Sequence, residues 1–327
     1  MATTPTNGWP DATSTGVPAG VTLTASGDVI IDKPGTVISG LDIRGSVYIN
    51  ADNVTVENCK ITSGGWAVVK VKSGVTGAVV QDCTIDGTGH SPDGTGNEGI
   101  LGQGTFLRNN ISNVENGITI VGNNSVIQDN YIHDLNAGGS PHYDGIQIDG
   151  GVSNIEISHN TIINQRGWTS AIMIDNYFGS VSNVAVNNNL LVGGAYTVYS
   201  DGTLGSSPIS GVSFTNNHIG GGAYGPAMIR NSNPVYTGNV DDGATLAQGI
   251  HTTGQPSGDG TQPTTPDVPH APDAPAIASF SNDSGVAGDG ITNDNTLTLK
   301  GTAAANSTVK VFDGSTQIGT ATADSKG

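Results

Sequence analysis

Charge is scarce in this chain: only 12% of its 327 residues are charged, and basic residues are scarcest, with 11 Lys and Arg against 28 Asp and Glu. The formal net charge of -17 argues against binding nucleic acid by bulk electrostatics. Any acidic polymer would need local basic groups or a bridging cation. No apolar run reaches membrane-spanning length, so no membrane insertion is expected. Met1 is not followed by a basic-plus-apolar leader, so a soluble chain is expected whose secretion signal is absent, removed or elsewhere. No sustained 3.6-residue apolar stripe runs through the repeats, which excludes helical units.

What is present is a hexapeptide of the form apolar, any, Asx-like, Asn, any, apolar. It reads Val80-Gln81-Asp82-Cys83-Thr84-Ile85, Ile127-Gln128-Asp129-Asn130-Tyr131-Ile132, Ile157-Ser158-His159-Asn160-Thr161-Ile162, Val186-Asn187-Asn188-Asn189-Leu190-Leu191 and Phe214-Thr215-Asn216-Asn217-His218-Ile219. Looser copies put Cys59, Asn109 and Asn239 at the fourth position. The steps along Cys59, Cys83, Asn109, Asn130, Asn160, Asn189, Asn217 and Asn239 are 24, 26, 21, 30, 29, 28 and 22 residues, close to one solenoid turn. Short Val, Ile and Thr runs alternate with polar residues, and 49 glycines supply the turns. Three short strands per unit cannot bury their own inner face, so successive coils must stack at the ~4.8 Å strand spacing and share one core. These features predict an all-β, right-handed parallel β-helix. A leucine-rich repeat lacks its leucine consensus here, and a propeller would need longer blades. The Asn column reads as stacked amides satisfying turn backbone groups. Cys59 and Cys83 sit in that column as buried small residues, a strained disulfide between coils being the alternative.

Composition divides the chain into residues 1–25, expected to cap the first coil because an open β-helix end leaves unpaired edges; a β-helix over 26–250; a Pro/Thr/Gly-rich linker over 251–272; and a tail over 273–327. The tail, with Gly288-Asp289-Gly290-Ile291-Thr292-Asn293-Asp294-Asn295, Thr296-Leu297-Thr298-Leu299-Lys300-Gly301 and Ser307-Thr308-Val309-Lys310-Val311-Phe312-Asp313-Gly314, resembles the start of bacterial Ig-like modules found in tandem in type I-secreted proteins. The resemblance implies an incomplete β-sandwich module and a secreted or cell-surface protein. It also implies Ca2+ at Asp283, Asp289 and Asp294, which ordinary turn chemistry would equally place there.

A second repeating strand reads Val69-Lys70-Val71-Lys72, Ile100-Leu101-Gly102-Gln103, Ile118-Thr119-Ile120-Val121, Ile146-Gln147-Ile148-Asp149, Ile172-Met173-Ile174-Asp175 and Val198-Tyr199-Ser200-Asp201. First and third positions point inward, second and fourth outward. The fourth column therefore stacks Asp149, Asp175 and Asp201 on adjacent coils. Like charges roughly 5 Å apart either raise a pKa or take a cation between them, although aspartates also serve simply at bends. Asp144 precedes the same strand, His142 and Tyr143 enter it, Arg166 and Trp168 precede the next strand, and Tyr177 follows it. Aromatics beside carboxylates describe a sugar-binding groove.

Residues 28–247 resemble the pectate-lyase-like superfamily of right-handed parallel β-helix proteins, with His142-Tyr143-Asp144-Gly145-Ile146-Gln147 similar to a His-x-Asp-Gly-Ile-Gln motif of its uncharacterised secreted members. The Asn-Thr-Asp-Gly motif of polygalacturonases is met only in part, since His-Tyr replaces Asn-Thr and the Gly-His-Gly and Arg-Ile-Lys motifs are missing. The resemblance implies a carbohydrate-active protein on an extracellular polysaccharide, expected as a monomer. First among the readings is a polysaccharide lyase cleaving a uronate polymer by β-elimination. Its catalytic candidates are His142, Asp144, Arg166 and Tyr177, with Lys70, Lys72, Gln147, Trp168 and Tyr199 binding substrate and Ca2+ on Asp149, Asp175 and Asp201. A glycoside hydrolase using paired aspartates, or a non-catalytic glycan-binding region of an adhesin, are the alternatives.

Overall fold

The computed structural model describes residues 8–90, 97–139, 141–251, 276–280, 296, 298–303, 308–313 and 316–325. Residues 1–257 and 258–327 form separate compact units. In the first, the chain winds through three parallel sheets of 10, 9 and 9 strands, every neighbour in a sheet coming from the next coil. This is the all-β parallel solenoid that the repeat predicts. We call the sheets A (Thr24–Ser26 to Val240–Asp241), B (Val29–Ile31 to Gly225–Arg230) and C (Val37–Ser39 to Val235–Thr237). One continuous core runs down the axis, filled by residues such as Ile61, Ile85, Phe106, Ile118, Ile146, Ile172 and Phe214.

The hexapeptide occupies the corner between sheets C and A, and each of its two Asx positions has its own cause. Third-position residues adopt the left-handed conformation (Asp82 at φ 53°, Asp129 at 58°, Asn188 at 51°, Asn216 at 55°), which Asn and Asp tolerate best. Arg108 and His159 take the same strained φ, and each is held by a carboxylate one coil back, Asp82 at 2.7 Å and Asp129 at 2.6 Å. Fourth-position asparagines form the ladder: Asn160 Nδ2 donates to Asn189 Oδ1 (2.9 Å), Ile127 O (2.9 Å) and Ser158 O (3.1 Å), while Asn160 Oδ1 accepts from the Asn130 backbone N–H (2.9 Å). Cys59 and Cys83 continue the column as free, buried thiols, the Cys83 backbone N–H donating to Asn109 Oδ1.

The N-terminal segment, expected over the first coil, runs lengthwise along the outside of sheet A instead. Trp9 stacks on His159 at 5.6 Å and meets His218 edge-on at 5.2 Å. His159 Nε2 bonds Gly8 O, Gly16 N–H donates to Arg108 O, and Val17 N–H to Thr84 Oγ1. The physical reason is a second apolar patch on the outer face of that sheet, Tyr131, Ile163 and Leu190, which Trp9 and the helix Gly243–His251 cover together. Ala247 and Ile250 of that helix are buried, so the β-helix unit ends with a packed helix. In the second unit, Ala276–Phe280 pairs antiparallel with Leu299–Thr302, and Thr308–Asp313 with Thr316–Thr322. The linker residues 252–272 and Asp283, Asp289 and Asp294 lie outside the described residues. No helix among the described residues is long and apolar enough to cross a membrane.

Candidate active site

Sheet B has the register read from the sequence. Ile100, Ile118, Ile146, Ile172 and Val198 are successive partners, as are Leu101, Thr119 and Gln147, then Met173. Asp175 bridges Asp201 across adjacent coils. The start of the sheet holds a further column that the sequence reading did not align: Glu98 opposite Asn116, and Asp144 opposite Ser170. Each of Glu98, Asn116 and Asp144 precedes Gly-Ile, and the glycine sets the arrangement. A Cβ at Gly99 would fall 2.7 Å from Ile111 Cγ2, at Gly117 2.5 Å from Ile132 Cγ2, and at Gly145 2.1 Å from Ile162 Cγ2, so only glycine fits against the core there. The preceding polar side chains join those of Thr119 and Gln147 instead of the core. The signal was in the sequence as Glu98-Gly99-Ile100, Asn116-Gly117-Ile118 and Asp144-Gly145-Ile146.

Along this face the carboxyls are buried or half-buried, Asp144 and Asp175 most deeply among those without a cation bound. Burial pushes Asp175 up to about 7, helped by the charges of Asp149 and Asp201. Burial likewise raises Asp149, the residue in the same outward column one coil back; Asp149 Oδ1 is buried without a hydrogen-bond partner. Asp144, 1% exposed, is raised well above the ordinary carboxylate range by burial, against the 2.5 Å bond it accepts from Ser170 Oγ. Glu98 is pushed to about 7 by burial and by neighbouring Glu115 and Asp149, against a short bond from Thr119. Glu115, raised by burial, accepts the His142 backbone N–H at 2.7 Å, and the exposed His142 ring stands 3.8 Å from it.

Asp201 differs from its two neighbours. Burial would raise it, but the Arg230 guanidinium and Thr203 overcome that and hold it below the usual range. Calcium on all three aspartates would have to displace an existing pair, because Asp201 is already bound by Arg230, and among the described residues no group of three His, Cys, Asp or Glu stands in metal-holding geometry. Arg166 is also engaged, donating to Leu135 O and Asn136 Oδ1 at 2.6 Å each and lying over the Tyr143 ring; it fastens one coil's loop to the next. Lys70 stands 5.0 Å over Trp66, and the exposed Lys72 lines a shallow hollow with Asp32, Asn50 and Asp52. Both lysines are three strands of sheet B from the Asp149 strand.

Aromatic side chains stand along the edges of this floor. Trp168, and Tyr224 two strands on, are exposed just before their sheet B strands begin; Tyr177 and Phe178, exposed and packed edge-to-face at 4.8 Å, follow Asp175. The Tyr177 N–H donates to Asp175 Oδ1 at 2.8 Å. Tyr199, 9% exposed, is raised by burial and lies between Tyr196 and the acids. The site thus gathers His142, Asp144, Gln147, Asp149, Trp168, Asp175, Tyr177 and Tyr199 on one stretch of the sheet, and leaves Lys70 and Lys72 apart.

Residues 271–327 match the bacterial Ig-like domain family. No curated protein matches the chain. Two solved structures are similar in fold: the Dettilon tailspike protein, at 13% identity and TM-score 0.40 over 67% of this chain and 52% of that one, and an alginate lyase from Paenibacillus sp. str. FPU-7, at 12% and 0.38 over 66% and 87%. The chain spans about half the length of the tailspike.

Proposed function

We propose that the solenoid is a carbohydrate-active enzyme that hydrolyses an extracellular polysaccharide on the outer face of sheet B, with Asp175 as acid and Asp149 as its carboxylate partner. The observation that carries this is the pair of aspartates on adjacent coils, both raised by burial, on a floor edged by exposed aromatics. A carboxyl near pH 7 is matched to proton transfer at neutral pH, and flat aromatic faces suit sugar rings. Asp175 gives its proton to the glycosidic oxygen while Asp149 attacks the anomeric carbon; water then frees the sugar with Asp175 as base.

Elimination is the weaker reading on this floor. It requires the uronate carboxylate to be neutralised, and the nearby guanidiniums are occupied by Asp201 and by the loop around Asn136. A neutral glycan meets no such obstacle. Incubation with a polysaccharide panel, read by reducing ends and by the absorbance of unsaturated products, separates the cases. Reducing ends without that absorbance, unaffected by a chelator, are expected. Unsaturated products would overturn hydrolysis, and binding without product from any glycan would leave an adhesin.

A further inference from the structure

Two bulky residues at the entry edge of sheet B, on adjacent coils, hold the left-handed backbone conformation that glycine favours: Tyr143 at φ 59° and Thr169 at φ 39°. Such strain persists only where the surroundings over-determine it, and it collects at binding sites. Here the restraints are explicit. The Tyr143 ring is buried, and its hydroxyl donates to Ala137 O at 3.2 Å. Fully buried Asn164 donates through Nδ2 to Tyr143 O at 2.7 Å and to Trp168 O at 2.8 Å, and Thr169 Oγ1 donates to His142 O and Tyr143 O. The main chains that carry His142 and Trp168 are thereby tied to each other. Both side chains nevertheless stand in solvent, that of His142 78% exposed and Trp168 68%.

Glu115 lies one coil back from this loop. It is 5% exposed, and its Oε1 accepts the His142 backbone N–H at 2.7 Å while standing 3.8 Å from the ring Nδ1. The second distance is longer than a hydrogen bond, and a small turn of the exposed ring closes it. A carboxylate on the Nδ1 side favours the neutral tautomer that carries its proton there, which leaves the Nε2 lone pair free on the solvent side.

We propose that His142 and Trp168 form a preformed subsite for one sugar ring of a neutral glycan, with Glu115 as the positioning residue that fixes the imidazole. Trp168 offers the apolar ring face and His142 Nε2 accepts from a sugar hydroxyl, while the carboxylate under the imidazole disfavours an anionic sugar. Because the two main chains are already fixed, little ordering is left to oppose binding. This assignment rests on the reading of sheet B as a glycan-binding face, and it adds a hold outside the aspartate column.

The test titrates the full chain, carrying Asp175→Asn to arrest hydrolysis, with soluble neutral gluco-, manno-, xylo- and galacto-oligosaccharides. The same chain with Glu115→Gln or His142→Ala is compared, each checked for an unchanged melting midpoint. Glu115→Gln keeps an acceptor for the His142 N–H and removes the charge. At about pH 9, where an ordinary imidazole is neutral, nitrogen NMR should find the His142 proton on Nδ1, and in Glu115→Gln a substantial share of it on Nε2. At least one oligosaccharide should move the His142 Nε2 and Trp168 indole signals together, and both variants should weaken that binding by about 3–10-fold, the worth of about one hydrogen bond. With Asp175 intact, KM should rise by the same factor while kcat stays within about twofold. A proton on Nε2 before the change, a tautomer unmoved by Glu115→Gln, or ring signals that no oligosaccharide moves overturns the proposal. Binding at these two rings without hydrolysis by the chain that keeps Asp175 would instead remove the catalytic reading and leave the subsite.

Discussion

Asp175→Asn should make the protein more stable above neutral pH while removing its activity. In the folded chain Asp175 is 4% exposed and titrates near 7, against 3.8 for the free side chain. Between those values the folded state holds a proton that the unfolded state has lost, so the wild type loses stability as pH rises through that window. The separation of about three units, at about 1.4 kcal/mol each, gives at most about 4 kcal/mol, and about 2–4 kcal/mol with Asp149 sharing the charge. Asparagine is neutral throughout and avoids this cost. At pH 8 the variant should therefore melt about 5–10 °C above the wild type, and the two should converge near pH 4. Calorimetry at a series of pH values measures this, with hydrolysis assayed in parallel and expected to fall by about 10²–10⁴-fold. A variant that melts no higher at pH 8, or whose offset is the same at pH 4 and pH 8, refutes the claim that burial holds the proton on Asp175.

Two further outcomes test the scaffold. Asn160→Ala should cost about 2–6 kcal/mol by urea unfolding, since it strands Ile127 O and the Asn130 N–H inside the ladder and each buried orphan costs about 1–3 kcal/mol; a loss under about 1 kcal/mol would mean that the coils relax around the gap. Trp9→Ala should free the strap along sheet A, seen as earlier proteolysis within residues 8–20 and a loss of about 1–3 kcal/mol. His159, which the Asp129 bond raises above its usual range, should give that strap a hold that weakens as pH rises through the His159 titration.

The parts of the molecule that repeat were legible in the sequence, and the parts that depend on one coil touching another were not. The Asn column and the Ile register of sheet B follow from periodicity alone, because a stacked solenoid turns sequence spacing into spatial adjacency. The third hexapeptide position was legible as a residue preference, but its cause, a left-handed corner, appears only in the backbone of Asp82, Asp129 and Asn188. The path of the N-terminal segment escaped reading because Trp9 has no periodic partner; what recruits it is an outer patch made of Tyr131, Ile163 and Leu190 from three different coils. The aspartate column was correctly aligned, yet its chemistry depended on Arg230, which sits opposite Asp201 on a strand whose irregular sequence hid the alignment. That one cation divides the column. Where it is present the carboxylate is held below its usual range, and one coil earlier burial raises Asp175 instead. A ladder of identical residues is therefore not a ladder of identical groups, and the proposed acid falls at Asp175, which is buried beside an aspartate that Arg230 neutralises.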